Sequence, residues 1–315
     1  MHQKAFVIHP LNPFRLDFTV WALRRRPENL IDRWDGKAYR RTLVIKGHVH
    51  EVTVTQHEAN APLRVRVSTV HPHSGTPQEI RDTLEAMLGI REDLAGFYHL
   101  AERDKRLAPL AERFKGMKPP RFPSAFEGLV NGIACQQLSL TVGIRVLNRL
   151  AERFGLWLQE GDSSGYAFPR PEELAAATPQ QIRELGFNLR KAQTIIAISQ
   201  AVAEGGLDLE GLKAMSDEEA VRRLIELRGV GRWTAEYTLL RGMGRWHIFP
   251  VDDVGARNGL RQWFRLRKPL NAEGAGLLLT RWKPYAGLLY FHMLLRGLEQ
   301  AAYLDLASPL GCGTP

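Results

Sequence analysis

Residues 227–237 read LRGVGRWTAEY, and this segment decides the fold of the chain. An amphipathic helical pattern precedes it, opened by Ser216 with Glu219 three residues later, which is the spacing of a capping box. Gly229 and Gly231 predict a tight turn, because glycine adopts positive φ without steric cost. A second helix follows at once. The predicted helical hairpin leaves backbone N–H groups at a helix N-terminus, where a phosphate oxygen can bind.

Two adjacent carboxylates follow the hairpin. Residues 249–255 read FPVDDVG and place Asp252 and Asp253 at the start of another helix. A bare Gly-Val-Gly is typical of an ordinary turn between helices, but hairpin, spacing and aspartates together resemble the helix-hairpin-helix DNA glycosylase superfamily. Its signature is L-x-G-V-G-x-x-T-A followed by an aspartate after a short loop. Within the superfamily, the chain is most similar to DNA-3-methyladenine glycosylase II, in which an antiparallel sheet domain precedes the helical core.

The composition indicates a globular protein with a basic surface. Hydrophobic residues make up 44% of the 315 residues, and charged residues make up 24%, so the chain can bury a core. Lysine and arginine number 43 against 34 acidic residues, which gives a net charge of +9. Such an excess favours a polyanionic partner, here double-stranded DNA, although solubility alone could account for a smaller excess.

Cysteine usage and hydropathy bear on the compartment. The two cysteines, Cys135 and Cys312, form no C-x-x-C pair, which argues against a disulfide framework, a zinc site and an iron–sulfur cluster. We find no secretory signal and no apolar run of membrane-spanning length. These features predict a cytoplasmic protein that associates with the nucleoid through DNA, has no membrane contact and, as is usual in the family, is a monomer.

The N-terminal part carries strand patterns. Alternating apolar residues over 14–20 predict a strand with one buried face, and residues 42–46, 50–55 and 63–70 repeat the alternation. Residues 76–79 have the spacing of a capping box, and an amphipathic helix follows that ends at Gly89, so we expect a small antiparallel sheet covered by helices.

Helical periodicity dominates from Asp93 onward. The proline-rich residues 118–123 predict a domain connection, and residues 159–170 predict a surface loop. The resulting fold class is α+β, with an N-terminal antiparallel β-sheet domain followed by an all-α helix-hairpin-helix glycosylase core. The predicted units are a sheet domain at residues 1–118, a helical domain at 119–306 and a flexible tail at 307–315.

Asp253 is the candidate catalytic carboxylate. The family pattern places this role on the second of the two acids, with Asp252 as the alternative. Breaking an N-glycosidic bond leaves positive charge on the sugar, and an ionised carboxylate stabilises that charge or orients the attacking water. Either aspartate could instead only cap the following helix, since aspartate is a preferred N-cap.

Trp233 bears on the reaction class. Relatives that also cleave the strand place a lysine here, which forms a Schiff base with C1′, and neither tryptophan nor the neighbouring Arg232 can do so. Trp233 and Tyr237 lie four residues apart on one helix face and could hold an extruded, positively charged base, with core packing as the alternative for both. The resemblance adds Trp282 as an aromatic near the pocket.

Further residues are predicted to contact DNA. Gln137 is the expected wedge that fills the gap left by the flipped nucleotide, and Leu138 is the second choice; the alternative is a polar break between helices. The histidine pairs at 48/50 and 71/73 lack a third ligand nearby, so no metal site is predicted. No cofactor is expected, although the hairpin carbonyls could hold a monovalent cation, as related hairpins do. The predicted DNA-binding residues are Arg228, Gly229, Val230, Gly231, Arg232 and Thr234.

These features predict a monofunctional DNA glycosylase of base excision repair. It would hydrolyse the N-glycosidic bond of alkylated bases of the 3-methyladenine and 7-methylguanine type in duplex DNA and leave an abasic site. Two alternatives stay open: a glycosylase for oxidised or deaminated bases, and a non-catalytic helix-hairpin-helix protein that only binds duplex DNA.

Overall fold

A five-stranded antiparallel sheet forms the N-terminal part of the computed structural model, which describes residues 2–70, 77–160 and 163–304. The strand order is β1-β5-β4-β3-β2. The predicted strands over residues 42–46, 50–55 and 63–70 are confirmed. The five strands are β1 (His2–Ile8), β2 (Arg33–Trp34), β3 (Ala38–Ile45), β4 (His48–Thr55) and β5 (Leu63–Thr69).

The predicted strand over residues 14–20 is wrong, because this segment is helix α1 (Leu16–Arg24). The helix is buried on two sides. Leu16 and Val20 pack in the core beneath the sheet, whereas Phe18 and Ala22 pack against the C-terminal helices. Two apolar stripes at helical spacing, offset by two residues, reproduce the alternation that is typical of a strand.

Three helices follow the sheet. α2 (Pro77–Met87) turns a stripe formed by Ile80, Leu84 and Met87 onto the sheet, as its pattern predicted. Thr76, the predicted cap of this helix, lies outside the described residues. The other two helices are α3 (Ala95–Glu102) and α4 (Leu107–Arg113).

Ten α-helices and one small hairpin complete the described part of the chain. Ser216 caps its helix through its side-chain oxygen, as its spacing predicted, and Ser124 and Thr178 cap their helices in the same way. The helices are α5 (Ala125–Cys135), α6 (Leu140–Phe154), α7 (Pro171–Ala175), α8 (Pro179–Glu184), α9 (Leu189–Ala203), α10 (Asp217–Ile225), α11 (Arg232–Arg241), α12 (Val254–Phe264), α13 (Ala272–Leu279) and α14 (Ala286–Gln300).

The surface loop predicted over residues 159–170 is wrong at residues 159–160 and 163–166, which belong to strands. Strands β6 (Trp157–Glu160) and β7 (Ser163–Tyr166) pair there as an antiparallel hairpin that lies against β3 and β4. The segment is rich in glycine and serine and lacks the apolar alternation that identifies a strand. Its pairing depends on the neighbouring sheet, which the local sequence does not encode.

Three apolar clusters form the core. One lies beneath the sheet, a second fills the helical part from α5 to α11, and a third joins α1, α3 and α4 to α12, α13 and α14. The third cluster brings helices from both ends of the chain together. The domain boundary at residues 118/119 stays a prediction. The tail predicted at 307–315 also stays a prediction, because the described residues end at 304. Within the described ranges, no helix has both the length and the apolar character needed to cross a membrane.

Candidate active site

The helical hairpin has the predicted form. α10 and α11 are joined by residues 226–231, and Gly229 lies in the turn with φ of +88°. A side chain at Gly229 would also collide with the Thr194 hydroxyl. Gly231 differs from the prediction, because its φ is −99°, which any residue can adopt. It is the N-cap of α11, and no side chain caps that helix, so the N–H groups of its first turn are left without a capping acceptor, as an anion site requires.

The predicted DNA-binding residues divide into two groups. Arg228, Gly231 and Arg232 are exposed at the hairpin, together with the half-buried Gly229. Val230 and Thr234 are instead buried, with exposed fractions of 5% and 1%, so their side chains hold the hairpin in place and cannot reach DNA. These two residues anchor the hairpin to the core, while Arg228, Gly231 and Arg232 stay exposed.

The predicted wedge lies in the loop between α5 and α6. Gln137 is exposed and has φ of +54°, and Leu138 is 41% exposed beside it. Gln136 fastens this loop to the hairpin, because its side-chain amide donates to the Gly229 carbonyl at 3.0 Å and to the Thr234 hydroxyl at 2.8 Å. Loop and hairpin therefore form one connected surface.

A buried lysine fixes the other side of the same loop. The Lys191 ammonium donates to the carbonyls of Ala134 at 2.9 Å and Gln136 at 2.6 Å, at the end of α5. Burial lowers the pKa of this lysine. These two bonds satisfy carbonyls that the helix end leaves without partners.

Asp253 lies half-buried at the start of α12 and faces the aromatic pair. Its Oδ1 accepts the N–H of Ala256 at 2.8 Å and so caps the helix. Its Oδ2 accepts the indole N–H of Trp233 at 3.1 Å and the hydroxyl of Tyr290 at 3.0 Å. Asp252 points elsewhere, with its side chain 41% exposed. The cap and the proposed catalytic position therefore belong to one carboxylate.

The aromatic pair lies on α11 as its spacing predicted. The rings of Trp233 and Tyr237 are 5.4 Å apart and inclined by 32°. Trp233 is partly exposed, whereas Tyr237 is buried, and its hydroxyl accepts a hydrogen bond from Arg25 at 2.7 Å. Trp233 can therefore offer a face to an extruded base, and Tyr237 supports it from behind.

Trp282 does not join this pair. It is fully buried in the cluster between α1, α3, α4 and the C-terminal helices, and it packs against Trp263 and Phe264 at 5.3 and 5.6 Å. Its indole N–H donates to Asp104 at 2.8 Å. A side chain without exposed surface cannot contact a base, so Trp282 is a core residue.

Tyr290, which sequence reasoning missed, stays protonated and donates a hydrogen bond to the Asp253 carboxylate. Burial, and next the negative charge of Asp253, raise the pKa of the Tyr290 hydroxyl well above its ordinary value. Tyr290 lies on α14 and packs edge-on against Phe249 at 5.7 Å. No motif surrounds it, and only the fold brings it to Asp253. Arg25 was missed for the same reason.

The described residues contain no group of three or more histidine, cysteine, aspartate or glutamate side chains arranged to hold a metal ion. His71 and His73, one of the two pairs considered for metal binding, lie outside the described residues.

Comparison with known proteins assigns the family. The model of the HhH-GPD superfamily of base excision DNA repair proteins matches residues 130–284. A DNA-3-methyladenine glycosylase of Bacillus subtilis is 30% identical over 220 residues, which cover 69% of this chain and 73% of the relative. The chain belongs to the HhH-GPD superfamily. The superfamily match contains the wedge loop, the hairpin and Asp253, whereas Arg25 and Tyr290 lie outside it.

Two further relatives of the superfamily are similar to this chain. DNA-3-methyladenine glycosylase 2 of Escherichia coli is 32% identical over 179 residues, which cover 56% of this chain and 60% of that protein. The solved structure of a 3-methyladenine DNA glycosylase from Archaeoglobus fulgidus superposes with a TM-score of 0.81 at 25% identity, covering 92% of this chain and 97% of that one. The predicted fold class, a sheet domain followed by helix-hairpin-helix helices, is confirmed.

Proposed function

We propose that this protein is a monofunctional DNA glycosylase that removes alkylated bases of the 3-methyladenine and 7-methylguanine type from duplex DNA. One observation carries the proposal: Asp253 Oδ2 lies 3.1 Å from the indole nitrogen of Trp233, so a carboxylate adjoins an aromatic face beside the hairpin. The names of the relatives support the alkylated substrates.

The carboxylate would act on the sugar. As the bond between C1′ and the base nitrogen breaks, its electron pair leaves with the base and positive charge develops on the sugar, which the negative oxygen of Asp253 stabilises. Water then adds to C1′ and gives up a proton, for which Asp253 is the available base. An alkylated cationic base leaves as a neutral molecule, so this scheme needs no separate acid and no cofactor.

The absence of strand cleavage is part of the proposal. A lyase step needs an amine that attacks C1′, and the hairpin helix offers Trp233 where a lysine would serve. The ammonium group of Lys191 donates to two carbonyls at the end of α5 and is engaged in holding the wedge loop. Borohydride trapping should therefore yield no covalent complex between this protein and DNA.

DNA would bind across the hairpin and the wedge loop. The uncapped N-terminus of α11 offers backbone N–H groups to a phosphate, and Arg228 and Arg232 lie exposed on either side of Gly231. Gln137 and Leu138 project from the adjoining loop, where a side chain could enter the duplex. We expect the affinity for any duplex to fall steeply as salt rises.

The decisive experiment is base release from a panel of alkylated, oxidised and deaminated duplexes. We expect release of 3-methyladenine and 7-methylguanine, and a loss of roughly 10²–10³-fold on Asp253→Asn substitution, because the amide carries no negative charge. Asp252→Asn is the matched control and should retain activity.

The same panel separates the alternatives. Release of oxidised or deaminated bases alone would show that these, and not alkylated bases, are the substrates. Duplex binding without release of any base would leave a non-catalytic binding protein, and unchanged release by Asp253→Asn would exclude Asp253 as the catalyst.

A further inference from the structure

An arginine from the N-terminal part of the chain reaches the aromatic pair. Arg25 follows α1 in a left-handed conformation, with φ of +64°, and is 4% exposed. Its Nη1 donates to the Tyr237 hydroxyl at 2.7 Å, and its Nη2 donates to Asn131 Oδ1 at 2.7 Å. The backbone and the side chain of this residue are thus both held in one arrangement.

The partners of Arg25 are themselves fixed. The Asn131 amide donates to the Glu127 carbonyl one turn earlier in α5 at 3.1 Å, and the guanidinium lies over the Phe122 ring at 5.5 Å. Within the described residues, no carboxylate comes within 4.0 Å of this guanidinium. Its two side-chain hydrogen bonds therefore go to the neutral oxygens of Tyr237 and Asn131 rather than to an ion-pair partner.

A continuous series of contacts leads from Arg25 to the carboxylate. Arg25 holds the phenol oxygen of Tyr237, the Tyr237 ring lies against Trp233, and the indole nitrogen of Trp233 donates to Asp253. The phenol oxygen lies on the long axis of the ring, so a hydrogen bond to it fixes the direction of that axis and therefore where the ring lies. The tilt of the ring about that axis is set by its neighbours, among them Trp233.

We propose that Arg25 is a positioning residue for the base slot, the space beside Trp233, Tyr237 and Asp253 that the extruded base would enter. Arg25 fixes the position of the Tyr237 ring and, through it, the face of Trp233 against which the base stacks. The proposal rests on the function proposed above. It makes the slot depend on a residue outside the matched range of 130–284, because the group that sets the slot comes from the end of α1.

The test is a double-mutant cycle of Arg25→Met and Tyr237→Phe, read by base release and by equilibrium dialysis of free 3-methyladenine. Each single variant removes the same hydrogen bond. We expect each to weaken binding of the free base and kcat/KM by about tenfold, the effect of one charge-assisted hydrogen bond, with the double variant no worse than either.

Arg24→Met is the matched control. Arg24 is also buried, but its guanidinium donates to the carbonyls of Trp34 at 2.9 Å and Pro27 at 2.6 Å, away from the slot. A variant at Arg24 should lose stability without losing affinity for the free base. Equal losses of base affinity in the Arg24 and Arg25 variants would show that both act only through folding and would overturn the proposal.

Tyr237→Phe protects the test against a folding defect, because it keeps the guanidinium in place. If Arg25→Met does not fold, the phenylalanine variant alone decides: normal base affinity in that variant would overturn the proposal. Additive losses in the cycle would do the same. If the wild-type protein binds the free base but releases none from DNA, the proposed function is contradicted. The base affinities of the variants, measured by dialysis, then still decide the role of Arg25. A wild-type protein that neither binds nor releases base would overturn both.

Discussion

The two carboxylate oxygens of Asp253 have different partners. Oδ1 caps α12, which fixes the rotamer, and Oδ2 is held between the donors of Trp233 and Tyr290. A carboxylate held at both oxygens cannot turn away from the aromatic pair, which is the preorganisation that electrostatic catalysis requires. Helix capping and catalysis therefore do not compete as explanations of this aspartate. The cap orients the oxygen that faces the slot.

Substituting Tyr290 by phenylalanine should test this orientation. Tyr290→Phe removes one of the two donors to Oδ2, and a hydrogen bond to a charged group contributes about 1.5–3 kcal/mol, so we expect base release to slow about tenfold or more. Single-turnover release from alkylated duplex measures the effect. Tyr98→Phe is the control, since its hydroxyl accepts the Gly116 N–H at 3.0 Å and takes no part in the hydrogen bonds of Asp253. An unaltered rate in Tyr290→Phe would show that Trp233 and the cap suffice.

At the level of elements, the two glycines of the hairpin have different physical roles. Gly229→Ala places a side chain at φ of +88° and against Thr194, so we expect a loss of about 1–3 kcal/mol in unfolding free energy and weaker binding to duplex DNA. Gly231→Ala is the matched partner: its φ is −99°, and a Cβ there has no other atom within 4 Å. Urea unfolding should show a normal free energy for Gly231→Ala, and similar losses in both variants would contradict the assignment.

The sequence predicted the features that are determined by residues close together in the chain. Capping residues such as Ser216 and Thr178 act within their own helix, and the pairing of Trp233 with Tyr237 follows from helical spacing, so both were predictable. Elements whose conformation depends on packing partners from distant parts of the chain were not predicted. α1 is buried on two sides and imitates a strand, and β6 and β7 depend on the sheet beside them. Trp282 illustrates the same limit at a single residue, because its position in the sequence does not show that its ring is enclosed.

On the scale of the whole molecule, buried polar contacts connect the sheet to the helical part. Arg41 on β3 donates from Nη1 to Asp32 and from Nη2 to Glu127 on α5, each at 2.6 Å, and all three side chains are at most 5% exposed. Burial raises the pKa of the Glu127 carboxyl, and the nearby charge of Arg41 opposes that shift. Glu127 lies one turn before Asn131, the partner of Arg25. The same face of α5 therefore contacts Arg41 of the sheet through Glu127 and Arg25 through Asn131.

Acid sensitivity should arise from a buried histidine on α14. His292 is 1% exposed, lies 5.2 Å from the Phe97 ring, and its Nδ1 contacts the Leu288 carbonyl at 2.7 Å. Burial lowers its pKa from 6.5 to about 4. Between these values the unfolded chain binds a proton at this residue and the folded protein does not, so stability is fully present above pH 6.5 and is lost as the pH falls toward 4.

From pH 7 to pH 5, this single group should lower the unfolding free energy by about 2 kcal/mol, since one pKa unit corresponds to about 1.36 kcal/mol. His292→Leu keeps the site apolar between the rings of Phe97 and Phe114 and removes the titrating group. Urea unfolding at both pH values should therefore show a smaller loss in the variant, by about that amount, whatever its stability at pH 7. Parallel losses in the two proteins would show that folding does not lower the pKa of His292.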